Sequence, residues 1–531
     1  MWSDDFFYKV FLEELNSLEM FRMGYISRHR DIPLDKEDPE IRRLIEALAF
    51  FSARIRLAGQ RSILSVRRRL FQQFFPYLMT PLPSMAVISA NPTGRLTEIV
   101  EVPSGFELVA TTEDGRKGFF KTLFSCEVLP AQIERVYIIP FPNGYRLFIK
   151  IKAFYPIFKP LDRLSIFINH LNDFEASLKL YNLLEENLLK VSVSFEEKIS
   201  ETIEGIPCRF SFGSKEFDRL TKYFNPIEQE RLYFHFPWQD LYLNIYLSEP
   251  RQQWESLFLI MDLSSKWPQN FRINKDVFNL FAIPIINLWD YDAEPIFCDG
   301  TKESFLIQHP EPEKEFELHS IKGVYEIEDS KINPIKPGLF SPRGTAFYEV
   351  EERVSKNGKR NHYLYLTFPD AFERPRVVNI EARWFQPWFS SVLFERIHVM
   401  PYRQMVEGIS WDLVILPISH LRSSFWEKIE SFLHLLTLVH KSFLEAEDIL
   451  DILSALGSVE NSPFKSLLDF LENVRLEKSV HGFDIKHIYW FKFSPTLTAD
   501  PSLLKTFITH VQNVLDAWLS HSLVELKLES L

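Results

Sequence analysis

Fourteen histidines, three cysteines and a surplus of acids are the residues of this sequence that could do chemistry. Their spacing decides whether they can. A zinc hydrolase sets two histidines one helical turn apart so that both reach one ion. His434 and His440 stand six residues apart in a helical stretch and do not easily share a metal. His398, in Ile397-His398-Val399-Met400, has no second ligand spaced nearby and reads as a satisfied, partly buried histidine. Glycoside or metal chemistry needs converging acids. The clusters Glu196 to Glu204 and Asp290, Asp292 and Glu294 read instead as solvated loops. Phosphate cradles need several glycines, and with 17 among 531 residues no P-loop, dinucleotide fingerprint or Gly-x-Ser-x-Gly elbow occurs. Cys126, Cys208 and Cys298 are odd in number and far apart, which suits a reducing compartment rather than a disulfide framework. No enzyme activity, cofactor or metal is expected.

The net charge of -12 gives no general attraction to nucleic acid or acidic membranes. One stretch departs from it. After Glu46 no acid occurs until Glu98, and the interval holds Arg54, Arg56, Arg61, Arg67, Arg68, Arg69 and Arg95 without a lysine. Guanidinium forks pair well with carboxylates and phosphates at interfaces, so Arg54, Arg67, Arg68 and Arg69 are candidates for docking an acidic partner or another part of the chain. An ordinary solvated helix face is the plainer reading of any one of them. Two rivals stay open at this point: a cytoplasmic hydrolase whose acids or histidines converge only in three dimensions, and a nucleic-acid binder using residues 54–69.

The elements that must position these residues make a multidomain α+β chain: long N-terminal helices, central antiparallel β-rich domains and a C-terminal α/β part. The expected divisions are residues 1–83, 84–255, 256–420 and 421–531. Phe6, Phe7, Val10, Phe11, Leu15 and Leu18 recur at helical spacing. A second helix starts at Asp38-Pro39-Glu40, where carboxylate cap, N1 proline and first-turn acid agree. Along it Ile41, Leu44, Ile45, Leu48, Phe51 and Ile55 form one stripe close to an a/d repeat. Gly59 is expected to weaken or end it, with a third helix from about Arg61 to Phe75. Asp114-Gly115, Asn143-Gly144 and Asn357-Gly358 predict hairpin turns, and Ile332 to Gly344 reads as a proline-bearing loop. Phe425 to Leu456 and Pro501 to Leu519 read as helices, the first stopped by Gly457. The most apolar run, Val277 to Trp289, is shorter than the roughly 20 residues that span a bilayer, and the acidic N-terminus does not resemble a signal peptide.

DPEIRRLIEALAFFSARIRL (38–57) followed by LFQQFFPYLMTPLPSMAVI (70–88) resembles the N-terminal signature of the TssF family of type VI secretion baseplates. FYKVFLEELNSL (7–18), FNLFAIPIINLWDYDAEPI (278–296) and FWEKIESFLHLLTL (425–438) are similar to further blocks of that family, in the same order. Thr80-Pro81-Leu82-Pro83-Ser84-Met85 stands where the family has Arg-Pro-Ile-Pro-Ser-Met, and Asn287-Leu288-Trp289 where it has Asn-Leu-Phe, which marks a divergent member. The resemblance implies a structural wedge subunit similar to those of contractile phage tails, two copies wrapping one TssG in a shared helical bundle. It implies TssK, TssE and the VgrG spike hub as further partners, with the sheath nearby and the membrane reached only through the secretion apparatus. On that reading Ile41, Leu44, Ile45, Leu48, Phe51 and Ile55 face other helices of the wedge.

Overall fold

The computed structural model describes residues 4–529 except 29–38, 198–199, 201–202, 223, 248–252, 269–270, 272, 329–330, 339–340, 343, 356–359, 371–373, 392–396, 424–428, 440, 442, 482–483, 495–499 and 520–522. The chain forms two compact units: one of Met1–Pro76, Asp292–Pro310 and Ile321–Glu381, the other of Tyr77–Tyr291, Glu311–Ser320 and Ala382–Leu531.

The first unit opens with helices α1 (Asp4–Arg28) and α2 (Pro39–Phe74). α2 begins at the N1 proline, and it is one helix of 36 residues rather than the two expected. Gly59 does not break it. A single glycine costs a helix about 1 kcal/mol, which the good helix formers on either side offset. The rest of this unit is β structure. Phe347–Val354 and Arg360–Thr367 pair antiparallel along their whole length; the Asn357-Gly358 turn expected between them lies outside the described residues. Lys331–Pro337 is a strand, which corrects the loop expected there. It pairs with residues 324–328 through 331–335 and touches Phe347–Val354 only at 336–337, so Pro334 sits where the strand is laddered on one side and its missing N–H is tolerated.

In the second unit the sequence 85–122 and its later partners build a six-stranded sheet in the order His398–Pro401, Glu107–Thr111, Lys117–Thr122, Ala282–Ile286, Met85–Pro92, Ile409–Ile415. The two outer strands lie close together, so this sheet curls toward closure. The run read as most apolar supplies its buried centre: Ala282–Ile286 is buried at every position. An eight-stranded antiparallel sheet runs Phe278–Leu280, Arg163–Ile168, Tyr242–Tyr246, Ile206–Phe212, Leu188–Ser194, Trp254–Ser264, Gly144–Ile157, Ala131–Phe141. Its last hairpin turns at Asn143-Gly144 as expected. A side chain at Gly144 would run into the Leu263 carbonyl, so only glycine fits there. Gly115, with φ +80°, likewise turns the hairpin after Thr111.

Helices α3 (Pro76–Met79), α4 (Phe174–Asn187), α5 (Pro226–His235), α6 (Ile429–Leu438), α7 (Ala446–Leu456), α8 (Lys465–Asp469) and α9 (Pro501–Trp518) complete the fold. The single helix expected over Phe425 to Leu456 is two. Glu445 and Asp448 form a capping box that starts α7 afresh, and Lys441 donates to Asp448 at 2.7 Å. Gly457 ends α7 in the left-handed conformation, as expected. α9 packs on α4 and α5, where Phe464 meets Phe174, Phe234 and Phe507 edge-on or stacked. It also carries the chain from Asp484–Phe493 to a parallel partner, Leu523–Leu528, in a three-stranded sheet edged by Leu471–His481.

Candidate partner-binding site

α1 and α2 meet where Val10 packs on Ala53 and Leu57, with Phe7 and Phe11 against them. Ala49 and Ala53 are fully buried, and their small side chains let the two backbones approach. The contact is pinned by polar groups: Ser52 donates to Glu14 at 2.7 Å and Arg56 to Glu14 at 3.0 Å. Those hydrogen bonds, Ser52 first, hold the Glu14 carboxyl below its ordinary range against a small opposing effect of burial.

The buried face of α2 is therefore the alanine face, and the stripe of larger residues lies off it. Leu44, Leu48, Phe51 and Ile55 are exposed, Leu44 by 62% and Ile55 by 72% of their surface, while Ile41 and Ile45 are half-buried. Exposed apolar residues continue beyond the stripe at Phe50, Ile63 and Val66 on α2 and at Leu12, Met20, Phe21, Met23 and Tyr25 on α1. Covering the half or more of each exposed stripe side chain that stands in water would gain roughly 1–2 kcal/mol apiece. Leu44, Leu48, Phe51 and Ile55 share one side of α2, away from Ala49 and Ala53, whereas the exposed apolar residues of α1 are spread around that helix.

Of the arginines proposed for docking, Arg54 is exposed with its guanidinium 5.7 Å from the Phe50 ring, and Arg67 is half-buried. The Arg68 and Arg69 side chains lie outside the described residues. Arg54 thus stands over Phe50, off the stripe itself.

The other candidates are not brought together. His398 is exposed on its strand rather than partly buried, because it points to the outer side of an edge. Asp290, Asp292 and Glu294 are exposed; Asp290 accepts from Arg383 and Asp292 from Asn379. Glu196, Glu197 and Glu204 are exposed as well, and Glu201 and His440 lie outside the described residues. His434 faces Asp448 at 3.3 Å. Among the described residues no group of three or more His, Cys, Asp or Glu side chains is placed to hold a metal ion, and no described helix is long and apolar enough to cross a membrane.

Two buried polar centres escaped the sequence reading. Asn287 and Gln386 bond to each other, and Asn287 Nδ2 donates to the Phe119 carbonyl at 2.6 Å while Gln386 Nε2 donates to that of Lys314 at 2.8 Å. Arg231, 1% exposed, donates to the carbonyls of Tyr77, Thr80 and Leu456, gathering the turn after α3 and the end of α7 onto α5. No signal in either local sequence announces a partner 99 or 225 residues away.

A pair of long helices with large apolar side chains left in solvent precedes a series of β sheets. The model of the TssF protein of the type VI secretion system matches residues 28–384, more than half of the chain, and the chain belongs to that family. Its fold is similar to a chain in a solved TssK-TssF-TssG baseplate subcomplex of the type VI secretion system, with a TM-score of 0.72 at 16% identity, covering 92% of this chain and 96% of that one. It is also similar to a chain of a solved type VI baseplate complex, with a TM-score of 0.60 at 14% identity, covering 98% and 96%. No curated protein matches it by sequence.

Proposed function

We propose that this chain is a structural, non-enzymatic subunit of a type VI secretion baseplate, joined to its neighbours through the solvent side of its N-terminal helices. The observation that carries the reading is the position of Leu44, Leu48, Phe51 and Ile55, large, exposed and aligned on a helix whose own partner covers a different face. An intersubunit bundle requires such a face. On this reading TssG supplies the covering helices, two copies of the present chain serve one TssG, and Arg54, Arg67, Arg68 and Arg69 meet acidic groups at the border. TssK, TssE and the VgrG hub are the further neighbours, and the wedge so formed supports assembly of sheath and tube from the cytoplasmic side of the inner membrane.

Native mass spectrometry of the chain co-expressed with its TssG tests the reading directly. A two-to-one complex is the expected outcome. A monodisperse monomer indifferent to TssG would overturn it.

A further inference from the structure

The eight-stranded sheet ends on Ala131–Phe141, a strand of 11 residues, about twice the usual length. It pairs with Gly144–Ile157 on one side, and no other strand lies along its free side among the described residues. Long free edges invite pairing with another chain, and folded proteins guard them with charges, prolines, bulges or short length. Here the guards stand at the ends. Glu134 and Arg135 occupy the start, together with a register shift between Ile133 and Arg135, and Pro140 closes the far end. Between them Val136-Tyr137-Ile138-Ile139 is uncharged and half-buried at every position. Tyr137 and Ile139 pack on Phe148, Phe258 and Ile260, so the window is firmly held in the sheet and its register is set. Among the described residues the other long edge, Leu471–His481, carries the exposed charges Glu472, Arg475 and Glu477 within its first seven residues.

We infer that residues 136–139 form a strand-addition site that receives an extended segment of another baseplate subunit, an inference that rests on the assembly role proposed above. The window prescribes the segment: about four uncharged residues without proline, since both faces of the window are apolar and every outward ladder group needs a partner. Four residues span about 13 Å of ladder. A free-standing interface engages about 20–30 residues a side, so this contact does not suit a self-standing dimer of the chain. It suits a chain already held elsewhere in the same assembly, whose added strand gains from that high local concentration.

Hydrogen exchange of the full chain, alone and co-expressed with TssG and TssK, tests the inference. Peptides covering 136–139 are expected to exchange at least tenfold more slowly in the complex. Ile138→Lys, on the side away from the Phe148 cluster, is expected to keep the complex through the helices while returning this window to its free rate. A complex that forms while the window exchanges at the free rate overturns the strand addition and leaves the helix reading standing. Absence of any complex overturns both. Protection of the window in the chain alone, rising with its concentration, overturns the inference in favour of self-pairing.

Discussion

At the scale of single residues, polar groups inside this protein are there to fix geometry, and His319 shows how that couples to pH. It is 8% exposed, and burial pushes its imidazole down to about 3, with Arg383 and Arg231 adding repulsion. A group whose folded value lies below its unfolded value of about 6.5 takes up its proton only on unfolding. Its contribution is therefore complete above that pH and is lost as pH falls through 6.5 toward 3, about 2 kcal/mol of it by pH 5. His235, pushed by burial down to about 4, acts in the same direction. His319→Gln is expected to flatten part of the fall in melting temperature between pH 7 and pH 5, measured by scanning calorimetry. An unchanged slope would show that the imidazole is protonated in the folded state. The Asn287–Gln386 pair does comparable work without titrating, because each amide satisfies backbone groups that would otherwise be buried without partners.

At the scale of elements, what was legible followed from local pattern and what was not depended on distant partners. α9 begins at Pro501 as expected, with Asp500 capping it, and the Asp114-Gly115 and Asn143-Gly144 turns join the strands expected of them. Local signals failed where a neighbour overrode them. Lys331–Pro337 reads as loop until the strand at 324–328 supplies its ladder, and the Phe425–Leu456 pattern hides a break because apolar residues at helical spacing stand on both sides of the acidic capping box. The stripe of α2 was visible, but periodicity alone could not say that Ala49 and Ala53 would take the buried side. Of the two readings of Gly59, weakening and ending, the structure excludes the second, and with it the separate helix expected from Arg61. A side chain there would meet nothing within 4 Å. Gly59→Ala is accordingly expected to stabilise the helix pair of the isolated chain by about 0.5–1 kcal/mol, seen as a higher midpoint in the helical circular dichroism signal. A lower midpoint would show that α2 bends at this residue in solution.

At the scale of the whole molecule, the proposed function has stability and assembly draw on opposite faces of one helix, and this makes them separable. Leu48 and Phe51 already stand in water, at 51% and 59% exposure, so replacing both with Asp removes little that holds the isolated chain together. In the proposed assembly the same two carboxylates would be buried against apolar helices without partners, at a cost of several kcal/mol each. The double variant Leu48→Asp, Phe51→Asp is therefore expected to melt within a few degrees of the parent chain yet fail to co-purify with TssG. Ala53→Asp supplies the contrast, because Ala53 is sealed against Val10 and its replacement attacks the α1–α2 contact itself. Retained assembly by the double variant would move the interface off this stripe. Loss of folding by the same variant would mean that the stripe is covered within the chain in solution, and that the larger side chains of α2 serve its own core rather than a neighbour's.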